Sequence, residues 1–201
     1  MMNPDRLTDL LERLGALYRS EMKQSGIKLS LHPVHMEVLY FLSRCNKYSN
    51  TPVAIKEYLN TTKGTISQTI SLLESKGLLT KVPDENDKRV VHVHLTDEGR
   101  EIVNQEMPPR AFSNVLNKLP SDDHLTLEWQ LESLLSELQR DAGKSGFGMC
   151  KTCRFHRNKT PLNFYCELTK EDLPKAAGEL ICREHSFDVR EEELEKESVE
   201  K

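Results

Sequence analysis

The stretch from residue 52 to 95 restricts the fold more than any other part of the chain. From about Pro52 to Leu59, Val53, Ile55 and Leu59 recur at helical spacing. After Asn60 a second helical pattern runs from about Thr62 to Ser75, with Ile66, Ile70 and Leu73 inward and Gly77 as its stop. Leu78 to Val82 and Val90 to Leu95 read as short strands, with Val91, Val93 and Leu95 alternating with Val90, His92 and His94. Between them lies the polar link Pro83-Asp84-Glu85-Asn86-Asp87-Lys88-Arg89, so the pair is a hairpin with an extended tip.

Two short helices joined by a tight turn and followed by a hairpin predict a winged helix-turn-helix. In that architecture the second helix enters the major groove of DNA and the hairpin tip reaches along the backbone. Thr62, Lys63, Thr65, Ser67, Gln68, Thr69 and Ser71 are read on the outer face of the second helix, where hydroxyls and an amide can meet phosphates and base edges. Gly64 removes a side chain near the helix start and lets the backbone approach a partner. Lys88 and Arg89 are the cations of the tip, and an arginine there suits a narrow minor groove. The formal net charge of −4 speaks against DNA only until it is divided. Residues 188–201 hold seven acids against three bases, which leaves the other 187 residues neutral.

The flanks extend a mainly helical chain. Leu10, Leu11, Leu14, Leu17, Tyr18 and Met22 have helical spacing, with Gly26 as the expected stop, and Pro33 opens a second helix carrying Val34, Val38, Leu39, Phe41 and Leu42. Thr96 or Asp97 caps a helix that Pro108-Pro109 must end or kink. A last helix covers roughly Ser121 to Asp141, striped by Leu127, Leu131, Leu134, Leu135 and Leu138. The expected division is 1–142 for the DNA-binding part, 143–188 for a small cysteine-rich module and 189–201 for an acidic tail. The fold class is mainly α with a small β-hairpin wing.

Residues from about Leu7 to Asp141 resemble the MarR family of bacterial transcription regulators. The match is carried by Leu59 to Gly99, LNTTKGTISQTISLLESKGLLTKVPDENDKRVVHVHLTDEG. Lys63, Gly64, Ile66, Ser67, Ile70, Leu73, Glu74, Gly77 and Leu78 fit the family's recognition helix. Asp84, Asp87, Lys88, Arg89, Leu95, Thr96 and Gly99 fit its wing. The resemblance implies that Asp87 orients Arg89, that a double-stranded operator is the partner, and that the chain is a homodimer held by its N- and C-terminal helices. The stripes at Leu10–Leu17 and Leu127–Leu138 are the expected dimer surface. Pro108-Pro109 departs from the long helix usual at that place.

The family fold does not require the four cysteines Cys150, Cys153, Cys166 and Cys182, spaced C-x2-C-x12-C-x15-C. Phe147, Phe155, Phe164, Tyr165 and Phe187 accompany them, in a segment too short for a secure core of its own, and a bound metal is a common remedy. Four thiolates, one close pair and two singles, fit an iron–sulfur cluster. One alternative is zinc, with Cys150-x2-Cys153 facing Cys182-x2-His185, and another is thiols that work without a metal. His156 is a weaker ligand candidate, and Cys45 reads as a buried structural thiol.

No run of eighteen apolar residues and no secretory signal occur, so a cytoplasmic protein without a membrane partner is expected. No Cys–His–acid arrangement or glycine-rich phosphate loop argues for an enzyme. The sequence therefore reads as a transcription regulator, a repressor, whose DNA affinity responds to an iron–sulfur cluster. The alternative is a repressor with structural zinc that answers to a small-molecule effector.

Overall fold

In a computed structural model, residues 4–143 and 146–186 are described. Phe187 and the acidic tail lie outside them. The chain divides into two compact units. The first runs up to Ser43 and from Asn50 to Glu128, and the second combines Arg44–Ser49 with the chain from Trp129 onward.

The first unit begins with α1 (Pro4–Ile27) and α2 (Pro33–Arg44). α1 ends at Ile27, one residue past the expected stop at Gly26. A Cβ at Gly26 would collide with the carbonyl oxygen of Leu31, so this glycine serves a close approach within the following turn. Then come α3 (Pro52–Tyr58), α4 (Lys63–Ser75), β1 (Leu79–Pro83), β2 (Val91–Leu95), α5 (Asp97–Glu106) and α6 (Arg110–Leu116). Three threonines start three of these helices in the same way. Thr51, Thr62 and Thr96 sit in extended backbone, and each hydroxyl accepts from an N–H three residues on: Ala54, Thr65 and Gly99. Gly77 ends α4 with a φ of +72°, a left-handed value that favours glycine.

β1 and β2 pair antiparallel from Leu79 opposite Leu95 to Pro83 opposite Val91. Met36, Leu39, Phe41, Ile55, Ile66, Leu73, Leu79 and Val93 are buried between the helices and the base of this hairpin. Truncating such a side chain, Leu73 for instance, costs about 2–5 kcal/mol. α3 presents Ala54 and Ile55 to this core, while Val53 is 52% exposed. Successive helical residues turn by about 100°, and with Ile55 held inside, Val53 is carried outward. Gly99 explains the glycine of the wing motif: a Cβ there would strike the Leu78 carbonyl oxygen, which accepts the Thr96 N–H at 3.1 Å.

Pro108-Pro109 separates α5 from α6, as expected of two residues that lack the helical donor. α7 (Ser121–Asp141) follows and crosses from the first unit into the second. The leucines of the two outer helices are not core in a single copy of the chain. On α1, Leu7, Leu10, Leu11, Leu14 and Leu17 are between 41% and 58% exposed; on α7, Leu125, Leu127, Leu131, Leu134, Leu135 and Leu138 are between 37% and 64% exposed.

The second unit carries β3 (Gly148–Met149) paired with β7 (Ile181–Cys182), and a three-stranded antiparallel sheet of β4 (His156–Asn158), β5 (Asn163–Cys166) and β6 (Glu171–Pro174). Its core is small: Cys150, Phe164 and Leu173, with Tyr48, Cys166, Ala177 and Cys182 packed against them. Tyr48 belongs to a loop far away in sequence. Cys45, which directly follows α2, forms a bridge to Ile181, and Asn46 N–H donates to the Ile181 carbonyl at 2.9 Å. Burial pushes the Cys45 thiol up to about 12, which keeps it protonated and unreactive.

Candidate nucleic-acid interface and thiol site

α4 presents a polar face that the Thr62 cap organises. Thr62 Oγ1 accepts the Thr65 N–H at 3.1 Å and lies 2.9 Å from Thr65 Oγ1. Lys63, Gly64, Ser67, Gln68 and Ser71 are exposed, and Thr65 is half-buried. Thr69 corrects the sequence reading: it is only 3% exposed, because its place one turn on from Ile66 and next to Ile70 turns it into the core. The face open to a partner is therefore Thr62, Lys63, Gly64, Thr65, Ser67, Gln68 and Ser71. The start of a helix, with its free N–H groups, also favours a phosphate.

The wing tip is folded around two aspartates. Asp84 Oδ1 accepts the N–H groups of Asn86 and Asp87, each at 2.8 Å, while the Lys88 ammonium donates to the Asp84 carbonyl at 2.9 Å. Asp87 receives three bonds from Arg89: its N–H and Nε at Oδ1, and Nη2 at Oδ2, all at 3.0 Å. The Arg89 side chain is otherwise 91% exposed. An exposed ion pair of this kind adds little stability. Its effect is to hold the guanidinium in one direction. Hydrogen bonds from Asp87 and Asn86 lower the Asp84 pKa, and the Arg89 side chain lowers that of Asp87.

The base of the wing is tied to Asn50. The Val93 N–H donates to the Asn50 carbonyl at 2.7 Å, His92 Nδ1 lies 2.6 Å from Asn50 Oδ1, and His94 Nε2 lies 3.5 Å from Asn50 Nδ2. The other nitrogen of His92 meets Asp84 Oδ2 at 3.1 Å. His92 and His94 are thus wing residues, and His92 carries a continuous bonded path from Asn50 to the tip.

In the second unit, Cys150, Cys153, Cys166 and Cys182 all line one cavity of about 270 Å³, together with Asn46, Phe155, His156, Phe164 and Leu173. Cys150 and Cys153 bracket a short 3-10 turn in which the Cys153 N–H donates to the Cys150 carbonyl at 3.2 Å. Cys166 ends β5 and Cys182 ends β7. A hydrogen bond with Cys182 drives the Cys150 thiol up, and the same bond brings Cys182 down. His156 lines the cavity too; its ring stacks on Phe164 at 4.2 Å, and its buried Nδ1 has no hydrogen-bond partner among the described residues. His185 is not part of this lining. It is buried against the Gly148 backbone, where a Cβ would come within 2.8 Å of its ring, and its Nε2 meets Thr152 Oγ1 at 3.0 Å. Among the described residues no three His, Cys, Asp or Glu side chains are grouped as one metal ion needs. The thiols surround a space instead of a point.

Residues 31–99 match the family model of the winged helix DNA-binding domain. The structure of the MepR–DNA complex from S. aureus superposes with a TM-score of 0.54 at 20% identity, over 66% of this chain and 98% of that one. The fold is a winged helix like that of MepR. The multiple antibiotic resistance protein MarR of Salmonella typhimurium is 35% identical over 88 residues, 42% of this chain and 61% of that protein. The HTH-type transcriptional regulator PecS of Dickeya dadantii is 28% identical over 105 residues, 52% of this chain and 63% of that protein. The match thus spans less than two thirds of either relative. Of these two, PecS is named as a transcriptional regulator.

Sequence reasoning missed Asn46 and Asn50. Both lie in the loop CNKYSN, whose polar composition resembles any surface turn, and only their burial, 5% and 6% exposed, reveals their work.

The winged helix generates a pH prediction. Asp84 and Asp87 titrate below their usual value of 3.8 in the folded tip. Their bonds are therefore complete above that value and are lost as the pH falls through the lowered ones. An NMR titration of the Asn86 and Asp87 amides should show midpoints below 3.8; midpoints at or above it would contradict the tip geometry.

Proposed function

We propose that this chain is a cytoplasmic DNA-binding transcription regulator, a repressor, that grips a double-stranded operator as a homodimer. The observation that carries the reading is the preset wing: Arg89 held by Asp87 beside a recognition helix whose cap and open polar face are already formed. The leucines left exposed on α1 and α7 support the dimer, because so many half-exposed leucines on two outer helices mark a surface to be covered. Paired recognition helices then meet successive major grooves about one turn apart. The measurement that tests this is DNA affinity against salt. Lys88→Ala should lower affinity across sequences and reduce the salt slope by about one, and Arg89→Ala should weaken binding about tenfold or more. Unchanged affinity and slope in both variants would refute the wing assignment.

The reading extends to the second unit: Cys150, Cys153, Cys166 and Cys182 hold an iron–sulfur cluster, and its presence sets the DNA affinity. Four thiols around a 270 Å³ space, and a His156 Nδ1 that has no hydrogen-bond partner among the described residues, suit a group larger than a single ion. Such a cluster, when bound, supplies a centre sensitive to iron supply and oxidation. The protein's part is to fix four thiolates in apolar walls and shield them from water. Anaerobically purified protein should carry iron and acid-labile sulfide with visible charge-transfer absorption, all lost together in Cys166→Ser. Stoichiometric zinc in a colourless protein, with His185 required for it, would show the structural-metal alternative instead.

A further inference from the structure

The loop between α2 and α3 belongs to the thiol site at one end and to the wing at the other. The chain leaves the first unit after Ser43 and re-enters it at Asn50. Between these points Asn46 reaches the thiols. Its Nδ2 donates to Cys150 Sγ at 3.6 Å. The orientation of this amide is settled by its other end, since Oδ1 accepts the Ser49 hydroxyl at 2.7 Å and the Tyr48 N–H at 3.1 Å. The Ser49 hydroxyl in turn accepts the N–H of Arg183, the residue after Cys182, at 2.8 Å. Asn46 and Ser49 therefore tie both Cys150 and the neighbourhood of Cys182 to a turn of four residues. The next residue is Asn50, whose carbonyl and side chain hold Val93, His92 and His94.

We infer that Asn46 is a positioning residue of the thiol site and that the strap Asn46–Asn50 carries the state of that site to the wing. This rests on the reading that the cysteines hold a cluster that sets DNA affinity. The physical reason lies in the donor. An N–H bond to sulfur strengthens when the sulfur carries thiolate charge shared with a metal, and weakens when a neutral thiol replaces it. Asn46, Ser49 and Asn50 cannot shed that change to solvent, because all three are at most 6% exposed. A shift of the Asn46 amide moves the Ser49 hydroxyl and then the backbone of Asn50. Asn50 fixes the strand and the two histidines on which the wing stands, and His92 passes the shift to Asp84 at the tip.

The test compares full-length protein reconstituted anaerobically with iron and sulfide against the same protein stripped by a chelator. Two readouts are taken: affinity for a duplex selected by the wild-type protein from random-sequence DNA, and amide exchange at Val93. Wild type should show an affinity ratio of about tenfold between the two forms and a changed exchange rate. Asn46→Asp keeps an acceptor for Ser49 and Tyr48 but removes the donor to Cys150, so its ratio should fall to near one while its thermal unfolding stays cooperative. Ser49→Ala leaves the Asn46 amide in place and cuts the tie to Arg183, and should lower the ratio as well. If Asn46→Asp does not fold or load, Ser49→Ala decides alone. A wild-type ratio and exchange difference retained in the variants overturn the strap and leave the regulatory reading standing. Equal affinity and exchange of loaded and stripped wild type overturn both.

Discussion

Polar groups buried in a loop must find hydrogen-bond partners or lose the free energy of their hydration, about 1–3 kcal/mol for each group left alone. The loop after α2 meets this demand through its own two asparagines and a serine. Asn46 and Ser49 satisfy themselves on the backbone and a thiol of the cysteine unit, and Asn50 satisfies itself on the wing. The cysteine unit has a small core of three buried side chains, and this loop contributes Tyr48 to it. The wing has only five residues per strand, and Asn50 bonds its second strand from the side.

The electrostatics of the wing follow from a shortage of charge. Outside residues 188–201 the bases and acids balance, so under the proposed function a broad basic surface is not what would attract DNA. Affinity would then come from a few cations held where they are needed. Arg89 is fixed by Asp87 before any partner arrives, which reduces the side-chain entropy lost on binding. Lys88 is engaged with the Asp84 carbonyl, which holds its ammonium beside the tip. On α4, the threonine cap leaves the helix start orderly and open.

Much of this was legible in the sequence because local chemistry decides it. The start of α5 follows from Thr96; the break between α5 and α6 from two prolines; the hairpin from alternation on either side of a polar link. Periodicity failed where a helix is short or its core-facing arc is wide. Val53 turns outward on the two-turn α3, and Thr69 turns inward on α4, since a buried hydroxyl and an exposed one have the same letter. Gly26 lies where α1 ends, as its residue type suggests, but its close approach to the Leu31 carbonyl could not be read without its neighbours. The four cysteines announced a shared site, but the closing wall of that site comes from residues about a hundred positions earlier. No spacing rule reaches that far, so Asn46 was invisible until the fold brought it to Cys150.

The central claim is that a symmetric pair of these winged helices reads duplex DNA with helix α4 and wing. Hydroxyl-radical footprinting on a duplex selected by the protein tests it most directly. The account predicts a twofold-symmetric footprint, with two protected half-sites about 10 base pairs apart or a multiple of that, and outer minor-groove protections that disappear in Arg89→Ala. A single one-sided footprint, or outer protections that survive the loss of Arg89, would contradict it.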